Sequence, residues 1–314
     1  MLKALTRPGV LIPLLLSAAL LAFVFSISDV PVVMDRIRGI PVSTMVFCFA
    51  LALTYVALKG ALFHLFLVQI PIRATLRQTV LAFAIGEMTI TLPAGIYSQN
   101  YVLRRIARAD FSRSAAATTA LLAVEGAISL TILLMLGLPG LAWLRPAILG
   151  LFVVAAVAVF ALLKVELVRT SAASLIQAGR LRWLGAEFIE MVEALGRLFV
   201  PRIVVRAIPV VTAYLLALLA AFYLVAQGVG LTSINLDQAV TIYLFALDVE
   251  LLIPLSTHLG VIEGAGLVSM EAWGYGPTEA LALFLGFRLV WMGSIWLACG
   301  AAALLLRSEF EVAE

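Results

Sequence analysis

Long apolar runs separated by short polar segments make up almost the whole chain. A helix needs about 20 mainly apolar residues to cross the hydrocarbon core of a bilayer. We assign the main runs to membrane-crossing helices, at about 10–27, 42–68, 115–136, 147–163, 207–226, 239–253 and 280–306. The pattern predicts an all-α, polytopic membrane helix bundle, with about 7–8 spans in a single membrane domain, 1–314.

One apolar segment in the first half, about 80–100, is interrupted and carries a carboxylate. Its apolar part includes Glu87, ends at Pro93 and Gly95, and is too short to span a bilayer. Basic residues on both sides place its two ends on the same face of the membrane. We therefore expect a re-entrant segment.

A second interrupted segment, about 251–296, organises the C-terminal half. It places Glu263 in an apolar stretch, with breaks at Pro254, Gly260 and Gly264. Irregular backbone at membrane depth persists only where protein or a water-filled cavity covers it, and an ionisable residue there is a functional-site hypothesis. We expect a re-entrant or broken helix that forms half of an intramembrane site.

The two halves of the chain, about 42–165 and 203–306, share a layout. Each contains a span, a broken segment with a carboxylate, and a long span with a second ionisable residue, Glu125 in the first half and Arg288 in the second. Paired interrupted segments at corresponding positions point to a transporter site. An inverted repeat and a chance similarity between two Gly/Pro breaks both stay open at this point.

The composition excludes an ordinary soluble domain. The chain is 64% hydrophobic and 12% charged, whereas soluble domains are about 25% charged. The net charge of +3 comes from Lys and Arg gathered in particular segments, as the positive-inside rule requires. We therefore expect a multi-pass protein of the cytoplasmic membrane, with a cytoplasmic N-terminus, a first apolar run kept as a span, and no nucleic-acid partner.

The sequence shows no pattern typical of metal, redox or nucleotide chemistry. Cys48 and Cys299 lie far apart in apolar runs, and His64 and His258 lack zinc-ligand spacing. No G-x-x-x-x-G-K-[ST] string occurs. We expect no cofactor, no metal and no direct use of ATP.

The most polar stretch, about 166–202, contains apolar residues at three- and four-residue steps, among them Trp183, Phe188, Met191 and Leu195. This spacing predicts an amphipathic cytoplasmic helix. The helix lies either along the membrane surface or against the bundle.

Six ionisable residues are candidates for binding a substrate: Glu87, Arg104, Arg105, Glu125, Glu263 and Arg288. We expect Glu263 and Arg288 to pair, because a charge at the centre of a membrane helix costs about 2.5–3.5 kcal/mol on insertion scales. The pair either pins the broken segment or borders a cavity for a lipid headgroup.

The other four candidates have structural alternatives. Glu125 can form a hydrogen bond between helices, and Glu87 can face the cytoplasmic headgroups. Arg104 and Arg105 either set topology and attract anionic lipid or recruit an anionic substrate lipid. Lys59, near the end of the second span, is expected to snorkel to the headgroups.

Two stretches resemble the membrane region of lysylphosphatidylglycerol synthases. HLGVIEGAGL followed by FRLVWMGSIW is similar to the C-terminal signature of that family, and its positions are matched by Pro254, Gly260, Val261, Glu263 and Arg288. LPAGIYSQNYVLRR followed by Glu125 looks like the first-half motif, although Tyr97, Ser98 and Tyr101 stand where the family usually has Gly-Glu and then Arg. The resemblance implies a flippase-like bundle with two re-entrant segments. In the full synthases this region moves aminoacylated phosphatidylglycerol between leaflets, and a separate soluble domain makes that lipid.

The leading functional hypothesis is a flippase-like transporter that moves a polar or anionic lipid between the leaflets of the cytoplasmic membrane. It is not an enzyme on this interpretation, and it depends on a partner enzyme that makes the lipid. One alternative is a membrane-embedded transferase acting on a lipid-linked substrate, which would need a general base and a metal or donor site. The other is a non-catalytic partner of a cell-envelope enzyme, whose buried charges would tolerate neutral substitution.

Overall fold

The computed structural model describes residues 8–92, 95–137, 184–251 and 258–311, together with isolated residues between 146 and 174. The described residues are helical apart from turns and short connections, and none of them forms a strand. The predicted span at 147–163 lies almost entirely outside the described residues, as do Pro93, Pro254 and Trp183.

Four described helices are long and apolar enough to cross a membrane. They are α3 (Val42–Gln69), α6 (Phe111–Leu136), α8 (Pro201–Gly228) and α11 (Pro277–Leu305). A fifth is obtained if the bent pair α1 (Pro8–Ser26) and α2 (Val30–Arg38) is counted as one span. The predicted 7–8 spans and the inverted repeat are not confirmed by the part of the chain that the structure describes.

The polar segment after the first apolar run is a helix. Helix α2 starts at Asp29, whose side chain accepts a hydrogen bond from the Val32 amide at 3.3 Å, and it lies at 96° to the last part of α1. Arg36 forms an ion pair with Glu279 of α11 at 3.3 Å. The first two helices are thereby attached to the start of the last long helix.

The first interrupted segment is a hairpin of two short helices, α4 (Leu76–Thr89) and α5 (Ser98–Ile106), joined through a 3-10 turn at Gly95–Tyr97. Helix α4 has 14 residues, or about 21 Å, and cannot cross a 30 Å core. Gln78 donates a hydrogen bond to the Ile106 carbonyl at 3.3 Å, so the two ends of the hairpin are adjacent. The segment therefore turns back on itself, as a re-entrant segment must.

The turn of this hairpin depends on Gly95. A Cβ atom at this position would lie 1.8 Å from the Thr89 carbonyl oxygen, a distance that no side chain permits. The predicted break at Gly95 is therefore present.

The second interrupted segment is also a hairpin, made of α9 (Leu236–Leu251) and α10 (His258–Glu271). The Ser269 hydroxyl donates to the Ile242 carbonyl at 3.3 Å, and the Ser233 and Tyr275 hydroxyls lie 3.3 Å apart at the open end. The predicted crossing at 239–253 is therefore the first arm of a hairpin. Its 16 residues extend about 24 Å, which is shorter than the bilayer core.

Two predicted breaks in this hairpin have different outcomes. Gly260 lies in the first turn of α10 with a φ of +87°, a conformation that favours glycine. Gly264 lies in the interior of α10, where an added Cβ atom would be 3.9 Å from Leu20 of α1. The prediction of a break at Gly264 was wrong, because a glycine inside a helix that packs on a neighbour needs no irregular backbone.

An aromatic cluster joins the long helices to the second hairpin. Phe222 of α8 lies within 4.8–5.3 Å of the rings of Tyr243, Phe284 and Phe287, measured between ring centroids. Phe287 stacks on Trp291 at 5.7 Å. These contacts fix α8, α9 and α11 around the centre of the bundle.

The amphipathic segment forms α7 (Leu184–Leu198), which packs against α6. Leu195 and Leu198 are buried, and Phe188 and Met191 are half-buried. Arg113 at the start of α6 forms an ion pair with Glu190 at 3.7 Å. Of the two predicted placements, the structure therefore shows packing on the bundle for residues 184–198.

Candidate functional site

A cavity of about 110 Å³ lies inside the bundle, where α3, α4, α6, α9 and α11 converge. Most of its lining is apolar, including Leu122, Leu218, Leu247 and Ile295. Five ionisable residues interrupt that lining: Lys59, Glu87, Glu125, Glu250 and Arg288. The cavity therefore combines an apolar wall with charged groups that come from five different helices.

Lys59 is the centre of the first charged group, which we call the Lys59 cluster (Lys59, Glu87 and Glu125). The Lys59 Nζ lies 3.4 Å from Glu87 Oε1 and 3.7 Å from Glu125 Oε2. All three side chains are at most 6% exposed. One ammonium group is thus shared by two buried carboxylates, one from the first hairpin and one from the long helix that follows it.

Two tyrosines complete the surroundings of the Lys59 cluster. The Tyr214 hydroxyl of α8 donates to Glu125 Oε2 at 3.0 Å. Lys59 donates to the Tyr55 hydroxyl one turn earlier on α3, and its Nζ lies 4.8 Å from the centroid of the Tyr55 ring. The rings of Tyr55 and Tyr214 meet edge to face at 5.4 Å. These contacts hold the ammonium group in place and satisfy part of the hydrogen-bonding capacity of Glu125.

The prediction that Lys59 snorkels to the headgroups was wrong. Lys59 is 5% exposed, and ten helical residues separate it from the end of α3 at Gln69. That separation is about 15 Å along the axis, which is beyond the reach of a lysine side chain. The depth of Lys59 in the apolar run was the available signal, since a cation this far from either end of a span must find a buried partner.

Arg288 and Glu263 form the second charged group. A guanidinium nitrogen of Arg288 lies 2.7 Å from Glu263 Oε1, and the Gly260 amide donates to Glu263 Oε2 at 2.7 Å. The predicted contact between these two residues is therefore present. Both oxygens of Glu263 are therefore engaged, and its side chain is 2% exposed. Arg288 lines the cavity, and Glu263 lies behind it.

Glu250 is a site residue that the sequence interpretation did not select. It lies one residue before the end of α9, is 4% exposed and lines the cavity. In the sequence it falls near the end of the apolar run assigned at 239–253. Because α9 is the arm of a hairpin, the end of this helix points into the bundle.

Arg104 and Arg105 are not at the cavity. Both are exposed near the end of α5. Arg104 lines a separate surface depression together with Arg108 and Glu187, and the Arg105 guanidinium lies 5.9 Å from the Phe310 ring. Of the six candidate residues, the structure therefore brings Glu87, Glu125, Glu263 and Arg288 to one place and leaves these two arginines outside it.

The polar residues at the start of α5 attach the first hairpin to α6. Gln99 and Asn100 each donate a side-chain hydrogen bond to the Thr118 hydroxyl, at 2.8 and 3.1 Å. Both side chains are buried. Their role is to hold the hairpin that carries Glu87 against the helix that carries Glu125.

Metal binding has no support in the described part of the chain. No group of three or more His, Cys, Asp or Glu side chains there is arranged to hold a metal ion. The carboxylates of the Lys59 cluster face an ammonium group instead.

The chain matches one known family over most of its length. The family described as the lysylphosphatidylglycerol synthase TM region matches residues 10–298, nearly the whole chain. A search of curated proteins found no match. The matched range includes both hairpins and every charged residue of the cavity.

Proposed function

The chain belongs to the lysylphosphatidylglycerol synthase transmembrane region family, and from this premise we propose that it moves a lipid between the two leaflets of the cytoplasmic membrane. The observation that carries the proposal is the charged cavity enclosed by apolar helices. A charged cavity at membrane depth is costly and is kept where it serves a pathway. A polar headgroup can cross through it while the acyl tails stay in the bilayer.

The size of the cavity supports a headgroup as the occupant. A cavity of about 110 Å³ has room for several water molecules, since one water needs roughly 10–15 Å³. That is room for a small headgroup and not for a pair of acyl chains. Large apolar side chains lie exposed on the outer surface of the long helices, such as Phe47 on α3 and Leu297 on α11, where the tails would be accommodated.

The charges around the cavity favour a headgroup that contains an ammonium group. Three carboxylates line the cavity and Glu263 lies directly behind Arg288, whereas the cations are Lys59 and Arg288 alone among the described residues. A purely anionic headgroup would meet this excess of carboxylates with little compensation. We therefore propose a lipid with both a phosphate and an ammonium group.

The orientation follows from the basic residues. The positive-inside rule places the Arg104 and Arg105 end of the first hairpin on the cytoplasmic side. By the same rule the N-terminus is cytoplasmic. The proposal assigns transport to this chain and the synthesis of the lipid to a partner enzyme.

Reconstituted liposomes test the proposal. Purified protein is inserted into vesicles that contain phosphatidylethanolamine or phosphatidylglycerol labelled with a fluorophore on the acyl chain, and dithionite is added outside. Without transport, dithionite bleaches only the outer leaflet. We expect the protein to expose the inner-leaflet phosphatidylethanolamine to bleaching, and to act more slowly on phosphatidylglycerol.

Two variants serve as the comparison in this experiment. Glu125→Gln removes a carboxylate of the cavity and should lower the rate at least tenfold, because a charged hydrogen bond to the headgroup is lost. Asp35→Asn removes an exposed carboxylate, 79% exposed on α2, and should leave the rate unchanged. Bleaching that stops at the outer leaflet for every labelled lipid would refute transport. Conversion of the labelled lipid to a new species on thin-layer chromatography would instead support the transferase.

A further inference from the structure

Among the described residues, the cavity holds more buried carboxylates than cations. In the first half of the chain, Lys59 faces Glu87 and Glu125. In the second half, Arg288 is accompanied by Glu263 and Glu250. A buried charge without a compensating charge is strongly disfavoured in a low-dielectric interior. The cavity is therefore suited to take up positive charge from elsewhere.

The Lys59 cluster is the better place for that positive charge. Glu263 already has both oxygens engaged, by Arg288 and by the Gly260 amide. The Lys59 ammonium, in contrast, is at 3.4 and 3.7 Å from its two carboxylates, which are longer than charge-assisted hydrogen bonds of about 2.7–2.9 Å. Neither carboxylate is therefore fully compensated by Lys59.

Other ionisable groups approach the cluster from each neighbouring helix. They are Tyr55 of α3, Tyr214 of α8, Tyr243, Asp248 and Glu250 of α9, and Arg288 and Cys299 of α11. Arg288, paired with Glu263, is the only cation of this set. The described neighbours therefore do not remove the excess of negative charge.

We propose that the Lys59 cluster holds one proton when no lipid is bound, and exchanges it for the ammonium group of a lipid headgroup. The inference depends on the proposed transport and adds that the movement of the lipid is coupled to the movement of a proton. When the ammonium enters, the proton leaves the carboxyl oxygen for water on the side to which the cavity is open. When the lipid leaves on the other side, a proton from that side takes its place. One proton thus crosses the membrane in one direction for each lipid that crosses in the other.

The exchange makes lipid asymmetry depend on a pH gradient. The test uses wild-type protein in vesicles with acyl-labelled phosphatidylethanolamine, an imposed pH difference, and valinomycin with equal potassium to clamp the membrane potential. Protons flow out of the acidic compartment, so the lipid should accumulate in the leaflet facing that compartment. A tight one-to-one exchange gives a leaflet ratio of up to roughly tenfold per pH unit.

The leaflet ratio under a pH gradient tests the proton exchange separately from the transport of the lipid. Rapid transport with a leaflet ratio that stays at one under the gradient would overturn the proton exchange and leave the proposed function intact. Absence of transport with every labelled lipid would overturn both.

A second measurement needs no transport. Protein in detergent at low buffer strength should release a proton when short-chain phosphatidylethanolamine is added, and a pH-indicator dye reports it. The infrared carbonyl stretch of a protonated carboxylic acid should disappear at the same time. Both signals should be lost in Glu125→Gln and retained in Asp35→Asn, whose carboxylate is exposed. Binding of the lipid without proton release in the wild-type protein would refute the exchange.

Discussion

Lys59→Met tests whether the ammonium group holds the centre of the bundle together. The substitution keeps an unbranched apolar side chain of similar length, and it removes the charge between Glu87 and Glu125. Removing one partner of a buried ion pair typically costs about 3–5 kcal/mol, because the remaining charge is left uncompensated. With one proton held in the cluster when no lipid is bound, the substitution leaves one buried carboxylate uncompensated, so we expect a loss within that range near neutral pH.

The effect should be visible as a lower melting temperature in detergent. A loss of about 1 kcal/mol lowers Tm by roughly 2–4 °C in a domain of 150–250 residues, so the expected shift is on the order of 10 °C. The shift should become smaller as the pH is lowered, since a protonated carboxylate no longer needs a cation. The triple variant Lys59→Met, Glu87→Gln, Glu125→Gln removes all three charges, and it should recover most of the lost stability.

Arg77→Met is the matched control for this experiment. Arg77 forms an ion pair with Glu309 at 3.8 Å, but its side chain is 69% exposed. Such pairs contribute about 0–1 kcal/mol, so Tm should change by no more than a few degrees. If Lys59→Met melted like Arg77→Met at every pH, the Lys59 cluster would not be a buried ion-pair network, and the charge argument would fail.

Three further predictions concern the second charged group, the amphipathic helix and the topology. Arg288→Ala should lower Tm more than Glu263→Gln, because the Glu263 carboxylate left alone is only 2% exposed, whereas glutamine at 263 keeps an oxygen for Arg288, which is 14% exposed; equal shifts in thermal melting would contradict this. A spin label at Leu195, which is 9% exposed, should be immobilised, while one at the exposed neighbour Glu193 should be mobile; free motion at both would exclude packing of α7 on α6. A cysteine in place of Arg105 should stay unlabelled by an impermeant reagent added outside intact cells, since basic residues are kept on the cytoplasmic side; efficient labelling would reverse the proposed topology.

The long helices were predictable because their signal is local. The apolar runs assigned at 42–68, 115–136, 207–226 and 280–306 agree with α3, α6, α8 and α11 to within a few residues at most ends. Membrane spans are specified by continuous hydrophobicity over about 20 residues. The same signal did not distinguish the hairpin arm at Leu236–Leu251 from a span, because a short apolar helix has the same local composition.

The position of each charged residue within the bundle was harder to predict from the sequence. Lys59 was interpreted by its distance from the end of an apolar run, whereas its environment is determined by helices distant in sequence. Glu250 was not selected, because only the tertiary arrangement brings it to the cavity. Glu263 and Arg288 were paired correctly, because they belong to consecutive apolar segments. The contacts of Lys59 on α3 with Glu87 on α4 and Glu125 on α6 could be found only from the tertiary structure.

Two long helices, α3 and α8, contribute to the cavity at the same position along their length. Helices α3 and α8 both have 28 residues, and each is followed by described arms of a hairpin and by a long helix. Counted from the first residue of α3, Lys59 is the eighteenth, and the eighteenth residue of α8 is Leu218, which also lines the cavity. The two long spans thus present the same position to the same space, once as a cation and once as an apolar group.

The first arms of the two hairpins each carry a carboxylate near their last residue. Glu87 lies two residues before the end of the first arm of its hairpin, and Glu250 lies one residue before the end of the first arm of the other. Glu87 and Glu250 thus lie at similar positions near the ends of their helices, and both line the cavity. Each half supplies one cation, from α3 in the first and from α11 in the second, against two carboxylates. Among the described residues, the excess of carboxylates over cations is therefore the same in both groups, with a lysine in one and an arginine in the other.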